Sequence, residues 1–228
     1  MEAKYGRIFE SNKKNRVIYD CFNYLSERDQ KKFVTKFNDH PHTAQQVMET
    51  FSELILGAYL SKNDYIVEYE RKIGTKTPDW SILDRSQNLV AIIETVTHQI
   101  DYETNADIEA QLISGKIVAG YRPNGNDIDH YRLYSHIQKK ATVYKDLIAD
   151  LNVPYVVAVY IDFKAVIEVQ ETIDCLTSGK ESLFKKYQYL SGVLHFHNIS
   201  GSRYGFWFID NPYALHKINI PSGYLELI

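Results

Sequence analysis

Apolar residues recur every three or four positions in several parts of the chain, and this spacing predicts helices. The first part, from Ser11 to Asn38, fits one or two helices. The second runs from Ala44 to Leu60 behind Thr43, a residue type that caps helices. The third is a long amphipathic helix from Tyr131 to Leu151, and residues 107–118 have a weaker helical pattern.

Short segments of apolar and β-branched residues between and after these helices predict strands. A central strand covered on both faces is expected at residues 154–161, which are apolar at successive positions. The other predicted strands are a meander after the second helix and two later segments: residues 65–70, 79–83, 89–97, 192–197 and 204–210. The order helix, three strands, helix, strand predicts an α/β sandwich.

Length and composition change this picture little. With 228 residues, 44% of them hydrophobic and 24% charged, the chain resembles a soluble domain with a core of its own. The longest apolar run, around Val156 to Tyr160, is far shorter than the ~20 residues of a membrane-spanning helix. Only Cys21 and Cys175 occur, which argues against a disulfide framework and a structural zinc site.

The domain organisation follows from the absence of a long Pro, Gly or Ser-rich linker. We expect a helical extension at residues 1–42 and one globular unit at residues 43–228. Because the first residues are charged and contain no apolar leader, we expect a cytoplasmic protein that does not enter a membrane.

The net charge of -3 is distributed unevenly. Residues 1–36 carry a net charge of +4, residues 37–130 carry -8, and residues 131–228 carry +1. A solvated acidic face would explain the deficit in the middle segment. A group of carboxylates that holds a divalent cation would explain it as well.

Three acids of the middle segment decide between these explanations. Glu94 lies inside the predicted hydrophobic strand 89–97, where a carboxylate is costly to bury unless it is paired or binds a metal. Asp79 follows a proline at the start of the preceding strand. Glu53, in the predicted helix before the strands, could face the same end of the sheet, although Glu49 shares its helix face and a solvated pair is the alternative.

This arrangement resembles the PD-(D/E)xK nuclease superfamily. The resemblance covers residues 43–162 and, more weakly, the remainder of the chain. It depends on the order of elements: the helix with Glu53, a first strand, Pro78-Asp79, a turn, Glu94 in the third strand, the helix around Ile137, and strand 154–161. It implies a restriction-endonuclease-like mixed β-sheet flanked by helices.

Carried over residue by residue, the resemblance implies a metal site. Asp79 and Glu94 would bind Mg²⁺ or Mn²⁺, the main-chain carbonyl of Thr95 would add a ligand, and Glu53 would support this metal or a second one. Oxygen-ligated divalent cations stabilise the charge of a phosphodiester under attack and generate hydroxide near neutral pH. The resemblance therefore implies a metal-dependent nuclease that acts on DNA, with RNA as an alternative.

One position departs from the family pattern. Val96 stands where the family has a lysine that positions the attacking water and offsets charge on the phosphate. Some family members supply this amine from the neighbouring helix, and we expect Lys140 to do so here because it flanks the inward helix face, whereas Lys139 lies further round. Gln138 and His98 are alternative polar groups. If none of them reaches the site, the protein would bind nucleic acid or a protein partner without cutting.

Other motifs indicate less. His195 and His197 share a strand face, but no third metal ligand accompanies them at useful spacing. The chain contains no GxxxxGK[ST], GxGxxG or GxSxG string, which argues against a P-loop, a dinucleotide site of the common type and a hydrolase elbow. A homodimer would suit cutting of both DNA strands by one site per chain, and the sequence leaves the oligomeric state open.

Overall fold

A computed structural model of the chain describes residues 12–38, 43–100, 114, 125–162, 165, 167–178 and 182–227. The helices within these ranges are α1 (Asn12–Phe22), α2 (Glu27–Asn38), α3 (Ala44–Lys62), α4 (Gly125–Leu151), α5 (Val169–Thr177) and α6 (Leu183–Lys186). The strands are β1 (Ile66–Tyr69), β2 (Trp80–Leu83), β3 (Leu89–His98), β4 (Tyr155–Ile161), β5 (Gly192–Ser200), β6 (Arg203–Asp210) and β7 (Gly223–Glu226). Apart from residue 114, the weak helix expected at 107–118 lies outside the described residues.

The seven strands form one mixed sheet whose spatial order, β1 to β7, is also their order in the chain. β4 lies at its centre and pairs in parallel with β3 and β5, and the other neighbours are antiparallel. All seven residues of β4 are buried, which confirms a central strand covered on both faces. The predicted α/β class, with a mixed sheet flanked by helices, is therefore confirmed.

The helices cover the two faces of the sheet in two layers. α1, α2 and α3 share a core with one face, and α4, α5 and α6 share a second core with the other. Successive residues of β3 enter different cores, since Ile93 belongs to the first and Ile92 and Val96 to the second. Glu94 is therefore on the α4 face. None of the helices in the described ranges is long and apolar enough to cross a membrane.

The N-terminal helices are part of this packing. Phe33 and Phe37 of α2 are buried in the same core as α3, on the inward side of a helix whose other side is exposed. α3 begins behind Thr43, whose side chain accepts a hydrogen bond from the main chain of Gln46, so the predicted cap is confirmed. α4 begins six residues earlier than expected, at Gly125.

A close approach of α3 to β2 positions the start of that strand. A Cβ atom on Gly57 would lie 2.0 Å from the Trp80 ring, so only glycine leaves room for the indole here. The indole N–H of Trp80 donates to the main-chain carbonyl of Glu53 at 2.9 Å. This hydrogen bond, together with the space that Gly57 leaves, holds Trp80 against α3, and Asp79 precedes Trp80 directly in the chain.

Two neighbouring histidines of β5 form a contact with α5 through Thr172. His195 is fully buried, and its Nδ1 atom lies 3.0 Å from the Thr172 hydroxyl. Its Nε2 atom lies 3.1 Å from Nδ1 of His197, whose ring stacks on Trp207. The described residues contain no group of three potential ligands around this pair. The pair is therefore explained by hydrogen bonding and packing.

We expect the His195→Gln variant to lose less stability in mild acid than the wild-type protein. Burial, together with His197, lowers the pKa of His195 to about 3. An unfolded histidine has a pKa near ~6.5, so below that pH the unfolded chain binds the extra proton and stability falls until pH ~3, at ~1.4 kcal/mol per pH unit. Urea unfolding at pH 7 and pH 5 should show a wild-type loss ~2 kcal/mol larger than that of the variant. Equal losses of stability in the two proteins would contradict the lowered pKa of His195.

Candidate active site

Asp79 and Glu94 meet where the pairing of β2 with β3 ends. Trp80 is opposite Ile93 in this antiparallel pair, so the register brings the preceding residue, Asp79, alongside Glu94. The Asp79 main-chain N–H donates to Oε1 of Glu94 at 3.1 Å, and the Thr95 N–H donates to Oδ2 of Asp79 at 2.7 Å. The structure therefore brings these two predicted carboxylates together.

Lys140 of α4 reaches both of these carboxylates. Its Nζ atom lies 2.6 Å from Oε2 of Glu94 and 3.8 Å from Oδ2 of Asp79. Tyr144, one turn further along α4, also hydrogen-bonds Glu94 through its side chain. Glu94 is only 2% exposed, so these contacts satisfy a carboxylate that water hardly reaches.

The ionisation of this group reflects its burial. Burial raises the pKa of Glu94, the negative charge of Asp79 raises it further, and Lys140 opposes both effects. Burial lowers the pKa of Lys140, but the charges of Asp79 and Glu94 outweigh this, so that the pKa of Lys140 rises. The ammonium group is thus held in its charged form beside the carboxylates.

Glu53 lies on the opposite face of the sheet and has partners of its own. Its Oε2 atom accepts hydrogen bonds from Lys36 of α2, at 2.7 Å, and from the Tyr69 hydroxyl. Burial, and next to it the charge of Asp79, raises the pKa of Glu53 to about 7, and Lys36 opposes the rise. Glu53 is therefore near enough to interact electrostatically with Asp79, but its hydrogen bonds connect it to α2 and β1.

The other residues considered from the sequence lie elsewhere. Lys139 is exposed, and Gln138 donates to a tyrosine hydroxyl after α6 at 2.7 Å. His98 is fully buried, and its ring nitrogens have no hydrogen-bond partner in the described structure. Glu49 accepts a hydrogen bond from the side chain one turn earlier in α3. Of the four polar groups weighed as replacements for the missing lysine, Lys140 is the one that contacts the carboxylates.

The oxygen atoms around Asp79 form the donor set of the site. Oδ1 of Asp79 has no hydrogen-bond partner within the described ranges, whereas Oδ2 and both oxygens of Glu94 have partners. Among the described residues, no group of three or more His, Cys, Asp and Glu side chains is arranged to hold a metal ion. Any cation here would therefore depend on two carboxylates, main-chain oxygen and water.

The sequence did not indicate three members of this group: Lys36, Tyr69 and Tyr144. Tyr144 lies four residues after Lys140, a spacing that places both on one helix face, and this signal could have identified it. Lys36 and Tyr69 approach Glu53 from two separate elements. Their contacts depend on how α2 and β1 pack against α3, for which the local pattern gives no signal.

Comparisons with known proteins add little to this description. No protein-family model matches the chain, and no curated protein matches it. Among solved structures, the chain is similar to one described as a CdiA-CT/CdiI toxin and immunity complex from Burkholderia pseudomallei, with a TM-score of 0.36 and 11% sequence identity. The alignment covers 74% of this chain and 89% of that chain. The function of the protein is therefore argued from its own residues.

Proposed function

We propose that this protein is a metal-dependent nuclease with a restriction-endonuclease-like fold, and that it hydrolyses phosphodiester bonds in DNA. The observation that carries the proposal is the position of Lys140, whose ammonium nitrogen lies 2.6 Å from Glu94 and 3.8 Å from Asp79. The chain thus has two adjacent carboxylates and a lysine beside them, although Val96 occupies the usual lysine position. The order of α3, β1, β2, β3, α4 and β4 supports the fold assignment.

Mg²⁺ or Mn²⁺ would be held by Asp79, Glu94 and the main-chain carbonyl of Thr95. Hard cations prefer oxygen ligands, and Mg²⁺ keeps several waters, so a small set of protein oxygens suffices. The Oδ1 atom of Asp79, which has no hydrogen-bond partner in the described part of the chain, fits this role. When bound, the metal would offset the negative charge of the phosphate and lower the pKa of water.

The remaining catalytic functions would be carried out by side chains of the protein. Asp79 is held by the Thr95 N–H, and its main chain in turn holds Glu94, so both carboxylates keep a fixed position before substrate binds. The Lys140 ammonium would orient the attacking water and stabilise the charge that develops on the phosphate oxygens. Glu53, which pairs with Lys36 and interacts with Asp79 only electrostatically, would support the metal site through its charge and not as a ligand.

A second candidate function is binding without cutting. Val96 favours it, since an apolar side chain at this strand position can neither orient water nor contact phosphate. In such a protein, Lys140 and Glu94 would form a structural ion pair, and the partner would be nucleic acid or another protein. The two candidates differ in one result, metal-dependent cleavage.

The test is a nicking assay on supercoiled plasmid DNA, with a labelled single-stranded RNA in parallel. We expect DNA cleavage with Mg²⁺ or Mn²⁺ and none in the presence of a chelator. If only RNA is cleaved, the proposed substrate is wrong and the proposed metal site stands. If the protein binds nucleic acid but cleaves it with neither Mg²⁺ nor Mn²⁺, the nuclease proposal is wrong and the second candidate function replaces it.

A further inference from the structure

The outward face of α2 carries a stripe of basic and polar side chains. Arg28, Lys31, Lys32, Thr35 and Lys36 follow the spacing of one helix face, and the buried aromatic residues of α2 lie on the other side. The five residues line an open groove with a volume of about 820 Å³. Two carboxylates, Glu27 and Glu70, line it as well, so the groove has an excess of positive charge.

One end of this groove adjoins the candidate active site. Lys36, which lines the groove, donates to Glu53 at 2.7 Å and lies 3.3 Å from Glu70. The Glu70 main-chain N–H in turn donates to the Asp79 carbonyl at 2.9 Å. The Lys36 end of the groove is therefore separated from Asp79 by a single main-chain hydrogen bond, and a chain molecule lying along the groove would extend toward that residue.

We propose that the α2 groove binds the phosphodiester backbone of the nucleic-acid strand that enters the active site. This inference rests on the proposed nuclease function and assigns a substrate-binding surface to it. The stripe is ~12 Å long at 1.5 Å per residue, enough for about three phosphates of one strand. Lysine, arginine and threonine side chains are the usual partners of phosphate oxygens, and such contacts position a substrate without reading its sequence.

Within the stripe, the side chains divide into two kinds. Arg28 pairs with Glu68 at 3.0 Å, and Lys32 donates to the Glu70 main-chain carbonyl at 3.2 Å, so these two also fasten α2 to the end of β1. Lys31 and Thr35 are exposed, and neither forms a hydrogen bond or ion pair with another described side chain. Replacement of Lys31 therefore tests binding of the phosphodiester backbone with the least effect on the fold.

The experiment measures binding separately from cleavage. Fluorescence anisotropy with a labelled DNA duplex, in the presence of a chelator, gives the Kd of the full chain at several salt concentrations. The variant is Lys31→Glu, and the matched control is Lys185→Glu, which makes the same charge change at an exposed position of α6 on the other side of the sheet. Single-stranded DNA and RNA of the same sequence serve as further probes.

We expect Lys31→Glu to raise the Kd about 5- to 10-fold over the control and to reduce the slope of log Kd against log salt by ~1 or more. The preferred probe identifies which phosphodiester strand the groove accepts. Equal Kd values and slopes for the two variants, or no binding of any probe by the wild-type protein, would overturn the proposal. If Lys31→Glu loses binding while the control does not, and the wild-type protein shows no cleavage in the nicking assay, the proposal for the groove stands and the nuclease proposal is rejected.

Discussion

The Asp79→Asn variant should lose DNA cleavage by a factor of about 10³, while it folds as the wild-type protein does. The amide oxygen of asparagine can still accept the Thr95 N–H, and the main-chain N–H that holds Glu94 is unchanged. What is lost is the negative charge of Asp79, whose Oδ1 atom has no hydrogen-bond partner among the described residues. Cleavage rates should therefore fall in both Mg²⁺ and Mn²⁺, and the thermal unfolding midpoint should change little.

The matched control for this variant is Asp64→Asn. Asp64 is exposed in the turn after α3, so its replacement removes the same charge at a distance from the site. Its backbone has a φ of 64°, a conformation that asparagine tolerates well. Wild-type cleavage by Asp79→Asn would reject Asp79 as a metal ligand. An equal loss in both variants would point to net charge as the cause.

The Lys140→Met variant should lose both activity and stability. Methionine keeps most of the length of the side chain and removes the ammonium group, so Glu94, at 2% exposure, is left without its charged partner. Breaking a buried ion pair from one side costs ~3 to 5 kcal/mol, and we expect the lower value because a third of the Lys140 side chain is exposed. The cleavage rate should fall by a factor of about 10² to 10³.

Three further variants separate the two roles of Lys140. Lys139→Met, at the exposed neighbouring position, should match the wild-type protein in both urea unfolding and cleavage. Glu94→Gln and the double variant complete a double-mutant cycle, in which the double variant should recover part of the lost stability but none of the activity. If Lys140→Met is destabilised yet cleaves at the wild-type rate, Lys140 is a structural partner of Glu94 and takes no part in the reaction.

Much of the fold could be predicted because its elements carry local patterns. β4 is apolar at every position, and α3 has a cap followed by apolar residues three and four apart. The missed elements are short: α5 has nine residues, α6 has four, and β7 has four, of which only Leu225 is buried. Such short segments are stabilised by the sheet and core that they join, and a local window contains too little of that information.

The candidate site could be predicted in part for a similar reason. Asp79 and Glu94 are on consecutive strands, and a costly carboxylate inside an apolar strand directs attention to its neighbours. Lys140 could be placed because its helix face follows from the apolar pattern. The contact of Lys36 with Glu53 could not, because it depends on the angle at which α2 packs on α3 and on a helix face that has no apolar marker.

The charged groups of the site are anchored in both helical layers, since Lys36 belongs to α2 on one face of the sheet and Lys140 to α4 on the other. Between them lie Glu53, Asp79 and Glu94, which leaves one net negative charge when all five groups are ionised. A ligand that binds these five charged groups only when both helical layers are packed on the sheet must, by thermodynamic linkage, stabilise that packing. A ligand that binds at the site should therefore also raise the free energy of unfolding of the whole domain.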